Sequence, residues 1–269
     1  MLKNITVKTL GATIALTVFN TVGSTAPLLY DQNITPDIIF GTGNSNGSFT
    51  VDRSNGVELG LRAKIPFTGT LHSNGDGTYS YSLAEANPRW NFDWTVNTDY
   101  AGTTNNVISS FNYLLGIDTD PASGPGGTNF FTFDPITPST SVPFYDHSIG
   151  TNATVNGAGT EATSGNHNPP TAAEIVASAN LYRSLIDNNN VLQNSWRHAF
   201  FPISYDPTID GTYDIFLMAF DANGGQQVAS TRIQAIIGAG GTFKVPEPAP
   251  ITLLGFGLLG MVLLRRKLR

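Results

Sequence analysis

Residues 210–237 read DGTYDIFLMAFDANGGQQVASTRIQAII, and the fold class turns on this stretch. Asp210, Gly211, Thr212 and Tyr213 carry turn chemistry into an apolar run from Ile215 to Phe220. Asp221 to Gly225 form a second turn, and Val228 to Ile237 bring the chain back. Runs of this length, rich in β-branched and aromatic residues and bounded by Asp, Asn and Gly, are predicted strands, and the pair is a predicted hairpin.

Working outward, the letters Asp-Gly-Thr-Tyr occur once before, at Asp76 to Tyr79, and again lead into an alternating run in which Tyr79, Tyr81 and Leu83 share one face. From Asp37 to Leu61 short apolar pieces (IIF, SFTV, VELGL) are separated by turn clusters (GTGNSNG, DRSNG). Val107 to Ile117, and Phe130, Phe131 and Phe133, supply further strands. Residues 138–170 read as long loops with a short strand near Val142 to Tyr145. One helix is predicted near 171–187: Thr171 and Glu174 have capping-box spacing, and Ile175, Ala179, Tyr182 and Ile186 recur at helical intervals. Many short strands and a single helix predict an all-β domain, an antiparallel β-sandwich with one helical insertion, over residues 27–238. The closing hairpin resembles that of immunoglobulin-like and other extracellular sandwiches, jelly rolls included. In the immunoglobulin-like pattern a Gly-Thr-Tyr opens the penultimate strand and the tyrosine serves as a corner, a role that falls here on Tyr213.

Both termini differ in composition from this domain. At the N-terminus Lys3 and Lys8 precede an apolar stretch from Leu10 to Phe19 and small residues at Gly23, Ser24 and Ala26, the layout of a cleaved signal peptide over 1–26 that calls for Sec-type export machinery. At the other end, after a Gly-rich linker over 239–244, residues 245–269 read VPEPAPITLLGFGLLGMVLLRRKLR. Pro246, Glu247 and Pro248 keep the approach extended, because proline fixes φ and biases its predecessor away from helix. The uncharged run from Pro250 to Leu264 spans roughly 23 Å as a helix against a hydrocarbon core of roughly 30 Å, so it is a marginal membrane segment. Arg265, Arg266, Lys267 and Arg269 place the terminus on the cytoplasmic side. Val245, Pro246, Glu247 and Pro248, the apolar run and the basic end, in that order, resemble the PEP-CTERM sorting signal of exported bacterial proteins. The resemblance implies recognition of Pro-Glu-Pro by a membrane-embedded exosortase, removal of the tail, and a role at the surface or in the extracellular matrix of a bacterium that secretes exopolysaccharide. A retained C-terminal anchor is the alternative reading of the same tail.

Between the two addresses, 27–244 hold nineteen acidic against eight basic residues, a balance that argues against nucleic acid as a partner. The chain has no cysteine, which excludes disulfides, thiolate metal sites and a cysteine nucleophile. No nucleophile elbow, HExxH, P-loop or dinucleotide fingerprint is present. The four histidines lack ligand spacing, and the loop setting of three of them reads as solvated. Asp118 with Asp120, and Asn74 with Asp76, are oxygen ligands of the kind calcium uses; turn formation by the same side chains is the competing reading. Trp90, Phe92 and Trp94 sit two apart and share one face of an extended chain, either as core or, through Trp90 and Trp94, as a platform for sugar rings. The expectation is therefore an exported, non-catalytic surface or matrix protein without an obligatory cofactor. A carbohydrate-binding module and a secreted glycoside hydrolase, whose paired carboxylates leave no local motif, are the alternatives.

Overall fold

The computed structural model describes residues 27–66, 71–86, 90–120, 129–136, 146–162, 172–201, 209–223 and 225–240. The signal-peptide reading, the linker beyond 240, the sorting tail, the strand near Val142 to Tyr145 and the Thr171 cap lie outside the described residues.

Two sheets carry the fold. One runs in the order β1 (Leu29–Gln32), β2 (Phe49–Ser54), β3 (Val57–Lys64), β5 (Asn91–Asn97), β9 (Val191–Arg197), β8 (Ser148–Gly150). The other runs β4 (Thr78–Tyr81), β11 (Gln227–Ile237), β10 (Gly211–Asp221), β6 (Phe111–Asp118), β7 (Phe130–Phe133). A four-residue helix α1 (Leu83–Ala86) follows β4, and α2 (Ala172–Asn188) occupies the predicted helical segment. The inner faces meet in one core: Leu59, Leu61, Phe92, Trp94 and Leu192 from the first sheet, Leu115, Ile117, Ile215, Leu217 and Ile233 from the second.

Local chemistry explains the main turns and pairings. The β2–β3 hairpin turns on Asn55 and Gly56, both at positive φ (53° and 81°), the conformation that a two-residue hairpin needs to match strand twist. The predicted closing hairpin is the pair β10–β11, in register from Gly211↔Ile237 to Ala219↔Ala229, with a bulge before Phe220. Both Asp-Gly-Thr-Tyr copies open strands, and those strands flank β11 on opposite sides. Tyr79 and Tyr213 are both registered to Ala235, so the small alanine lies between two tyrosines.

Three expectations are corrected. The sandwich is not wholly antiparallel, because β4 pairs parallel with β11. Tyr213 is a core residue packed edge-on against His198 at 4.5 Å and tilted against Trp90 at 5.5 Å. A corner bond is made instead by Tyr113 of β6, whose hydroxyl donates to the Ile108 carbonyl at 2.7 Å. The strand-length piece Ile38 to Phe40 belongs to no strand; with residues 33–48 it forms an irregular strap across the outer face of the first sheet, where Ile34, Ile38 and Phe40 join Phe49 and Val51 in a second apolar cluster.

The strap lies close because Gly60 of β3 presents no side chain to it. A Cβ at Gly60 would stand 2.6 Å from Thr95 Cγ2, 3.0 Å from Ile34 Cγ2 and 3.3 Å from Phe49 Cδ1. Gly60→Ala is therefore expected to destabilise the domain by about 1–3 kcal/mol, the usual cost of overpacking, read as a lowered midpoint in urea denaturation.

Candidate functional site

Alternation along β3 and β5 sends Leu59, Leu61, Phe92 and Trp94 inward and Glu58, Arg62, Lys64, Asn91, Asp93, Thr95 and Asn97 outward. Outward positions of a sheet normally meet water, yet Glu58, Arg62, Lys64, Asp93, Thr95 and Asn97 are all buried, because the strap covers them. An irregular backbone has no ladder of its own, so its polar groups need partners elsewhere. The outward side chains provide them. Glu58 accepts the Thr35 N–H at 2.7 Å and pairs with Arg53 at 2.6 Å. Gln193 of β9 donates to the Asp37 carbonyl and accepts from the Ile39 N–H, both at 2.8 Å. Asn97 donates to the Thr35 carbonyl at 3.0 Å and to Asn152 Oδ1 at 2.8 Å; Asn190 donates to Asn97 and Asn152 in turn.

The strongest charges of this face form a triad. Asp93 Oδ2 pairs with Arg62 Nε at 2.8 Å and Lys64 Nζ at 2.9 Å. Arg62 Nη1 donates to the Ser45 and Gly47 carbonyls, each at 2.8 Å, which fastens the strap to the sheet. Lys64 also donates to Asn44 Oδ1 at 3.1 Å and sits 4.9 Å from the centre of the Phe40 ring. Burial lowers the Lys64 ammonium from its ordinary range, with Asp93 opposing that shift. Burial likewise raises the Glu58 carboxyl against the lowering effect of Thr35 and Arg53. Two cations against one carboxylate leave a surplus positive charge in a domain that is otherwise acidic.

That surplus faces a cleft of about 370 Å³ between the strap and the end of β3, lined by Phe40, Asn44, Lys64, Leu71, Asn91 and Ser195 among others. Asn91 Nδ2 donates to Ser195 Oγ at 3.2 Å, while the buried Asn91 Oδ1 has no hydrogen-bond partner. Sequence reading did not bring these residues together. Their one visible signal is the alternation of charged with apolar residues along VELGLRAK, which marks an amphipathic strand but not what covers its polar side.

The residues singled out from sequence are placed elsewhere. Trp90 and Trp94 are 1% and 0% exposed, so neither ring offers a face to a sugar, and the stacking-platform reading is corrected to core. Trp90 stacks on His198 at 4.4 Å; Trp94 packs against Trp196 at 5.0 Å and edge-on to His147 at 5.2 Å. Asn74 and Asp76 are committed to their own turn: Asp76 Oδ1 accepts from the Thr78 backbone and hydroxyl, and Asn74 donates to Thr78 and Ser80. Those bonds hold the Asp76 carboxyl below its usual range. Asp118 is buried at the end of β6 and accepts the Asp120 N–H at 2.8 Å. Burial raises its carboxyl, and Asp214 of β10 adds to the rise. Among the described residues no group of three His, Asp or Glu side chains is placed to hold a metal ion; 121–128, the rest of the Asp118 loop, lie outside them.

His147, in a loop setting that reads as solvated, and His198 both prove to be core residues. His147 Nδ1 lies 2.9 Å from the Tyr182 hydroxyl, which itself donates to the Ile136 carbonyl, so Nδ1 carries the proton. His198 sits between Trp90 and Tyr213. Burial pushes both imidazoles down to about 3.

Residues 244–267 match the PEP-CTERM protein-sorting motif. No curated protein matches the chain, and no solved structure does. The motif marks an exported protein that an exosortase sorts toward the cell envelope or surface. Among the described residues no helix is long and apolar enough to cross a membrane; the tail lies outside them.

Asp93→Ala would leave Arg62 and Lys64 buried without their counter-charge. It is expected to cost about 3–5 kcal/mol in denaturant titration, well above the effect of removing a surface pair. The histidines predict the acid response. Their folded pKa values lie below the unfolded value near 6.5, so below pH 6.5 the unfolded chain binds protons that the folded one does not, and stability falls as pH drops from 6.5 toward 3. Together they amount to roughly 2–3 kcal/mol at pH 5.5, or about 5–10 °C in Tm relative to pH 7.5. Glu58, Asp118 and Asp146, raised by burial, act in the opposite sense. The histidine share is therefore read as a difference: His198→Phe is expected to remove about half of it from the Tm–pH slope.

Proposed function

We propose that this chain is a non-catalytic component of the bacterial cell surface or extracellular matrix, associated with exopolysaccharide. Its sandwich, immunoglobulin-like or jelly-roll-like in kind, is the working part, and its two ends serve transport. The observation that carries the reading is the sorting motif at residues 244–267. The leader over 1–26 directs Sec-type export. The run from Pro250 to Leu264 then holds the chain in the inner membrane with Arg265, Arg266, Lys267 and Arg269 in the cytoplasm, and the exosortase acts near Pro246, Glu247 and Pro248 to release the domain.

Two features of the domain support a role without catalysis. His147 and His198 are enclosed by aromatic rings and held neutral. The neighbouring carboxyls Asp118 and Asp214 are fully buried, and Asp214 is bound by Arg232 and Gln234, whereas glycoside hydrolysis needs two carboxyls flanking an open substrate groove.

Protein recovered from the surface or medium is expected to have an intact mass lacking both the leader and the arginine-rich end. Alanine in place of Pro246, Glu247 and Pro248 is expected to accumulate the uncut precursor in the membrane fraction. Mature material that retains Arg265 to Arg269 would sink this reading.

A further inference from the structure

We infer that the cleft beside Asn44 binds a carboxylate-bearing sugar, a uronic acid unit presented either free or as a residue of an acidic polysaccharide. The choice of a sugar among carboxylates rests on the matrix reading above; the preference for an anion does not.

The cleft wall holds unused hydrogen-bonding capacity. Lys64 Nζ has three N–H donors and two acceptors in place, Asp93 and Asn44, which leaves one donor at the cleft wall. Asn91 Oδ1 is a buried acceptor without a partner on the same wall. Ser195 accepts from Asn91, so its hydroxyl proton is free to donate. A cation, a hydroxyl donor and a carbonyl acceptor thus stand together around a cleft of about 370 Å³ whose other walls include Phe40, Ile65, Pro66 and Leu71. The two unmet groups ask for opposite things, an anion at Lys64 and a donor at Asn91. A simple carboxylate or phosphate satisfies only the first and a neutral sugar mainly the second, whereas a uronic acid carries a carboxylate and hydroxyl donors on one rigid ring.

The charge is also pre-organised. Lys64 is 8% exposed and is held on one side by Asp93 and on another by Asn44, so little side-chain freedom remains to be lost on binding. A charge-assisted bond at such a site is worth more than one made by a mobile surface lysine. An incoming carboxylate would balance the triad, two cations against two anions. A larger depression of about 650 Å³, lined by Asn55, Asn106, Asp221, Asn223 and Gln227 among others, lacks these features: its walls contribute none of the buried unpartnered polar atoms.

The test is calorimetric titration of the exported protein with oligogalacturonate, with gluco-oligosaccharide of equal length, and with acetate. Oligogalacturonate is expected to bind, more weakly as salt is raised, and the other two to bind at least about tenfold more weakly. Lys64→Met is expected to weaken binding by about tenfold or more; it leaves Arg62 and Asp93 as a one-to-one pair, so the fold is retained. Ser195→Ala touches no charge and is expected to weaken binding by about threefold or more. Equal binding of the neutral oligomer overturns the role of Lys64, and acetate binding as tightly as the uronate overturns the sugar. No uronate binding by a folded wild-type protein overturns the site. Uronate binding by protein that still carries its arginine-rich end would uphold the cleft and refute the sorting reading, so the two fail separately.

Discussion

The outer side of the first sheet depends on one constraint: a strap with no regular hydrogen bonding lies over strands whose outward residues are polar, and its buried backbone takes its partners from them. Glu58, Asn97, Gln193 and Arg62 reach the strap backbone at Thr35, Asp37, Ile39, Ser45 and Gly47. The charged members are secured twice over, Arg62 and Lys64 by Asp93 as well as by the strap. Buried ions seldom add net stability over apolar packing, so this arrangement is better understood as fixing where the strap sits than as a source of strength. Gly60 contributes by leaving room.

The inner side follows the opposite rule. Aromatic rings meet there from strands distant in sequence: Phe92 and Trp94 of β5, Trp196 of β9 and Phe133 of β7, with Phe201 and His147 packed among them. A cysteine-free exported domain has no disulfide to hold its layers, so burial of large rings bears that burden. The core also absorbs His198, packed against Trp90 and Tyr213, and His147, whose Nδ1 bonds the Tyr182 hydroxyl, itself bonded to the Ile136 carbonyl.

Acidity and address are divided along the chain. Six of the fourteen basic residues lie in the two terminal segments. Of those that remain, Arg62 and Lys64 are gathered beneath the strap, where a single carboxylate leaves them in excess. The local sign of charge at the cleft is therefore opposite to that of the domain around it, the condition under which an anion is drawn to one place and repelled elsewhere.

The sequence by itself determined the all-β class, the closing hairpin, the helix over Ala172–Asn188 and the sorting motif, because each rests on neighbours in the chain: turn residues, periodicity, and an ordered string of proline, apolar and basic residues. It also showed Trp90, Phe92 and Trp94 on one face, but which way that face points depends on what packs against it. The same holds for His147, whose loop setting in sequence gives way to the rings of Trp94 and Trp196 in space. The parallel docking of β4 on β11, the strap and the cleft at Lys64, Asn91 and Ser195 were decided by tertiary structure alone. They join segments separated by up to about 160 residues, and burial of a polar side chain is a property of its cover, which no local pattern encodes.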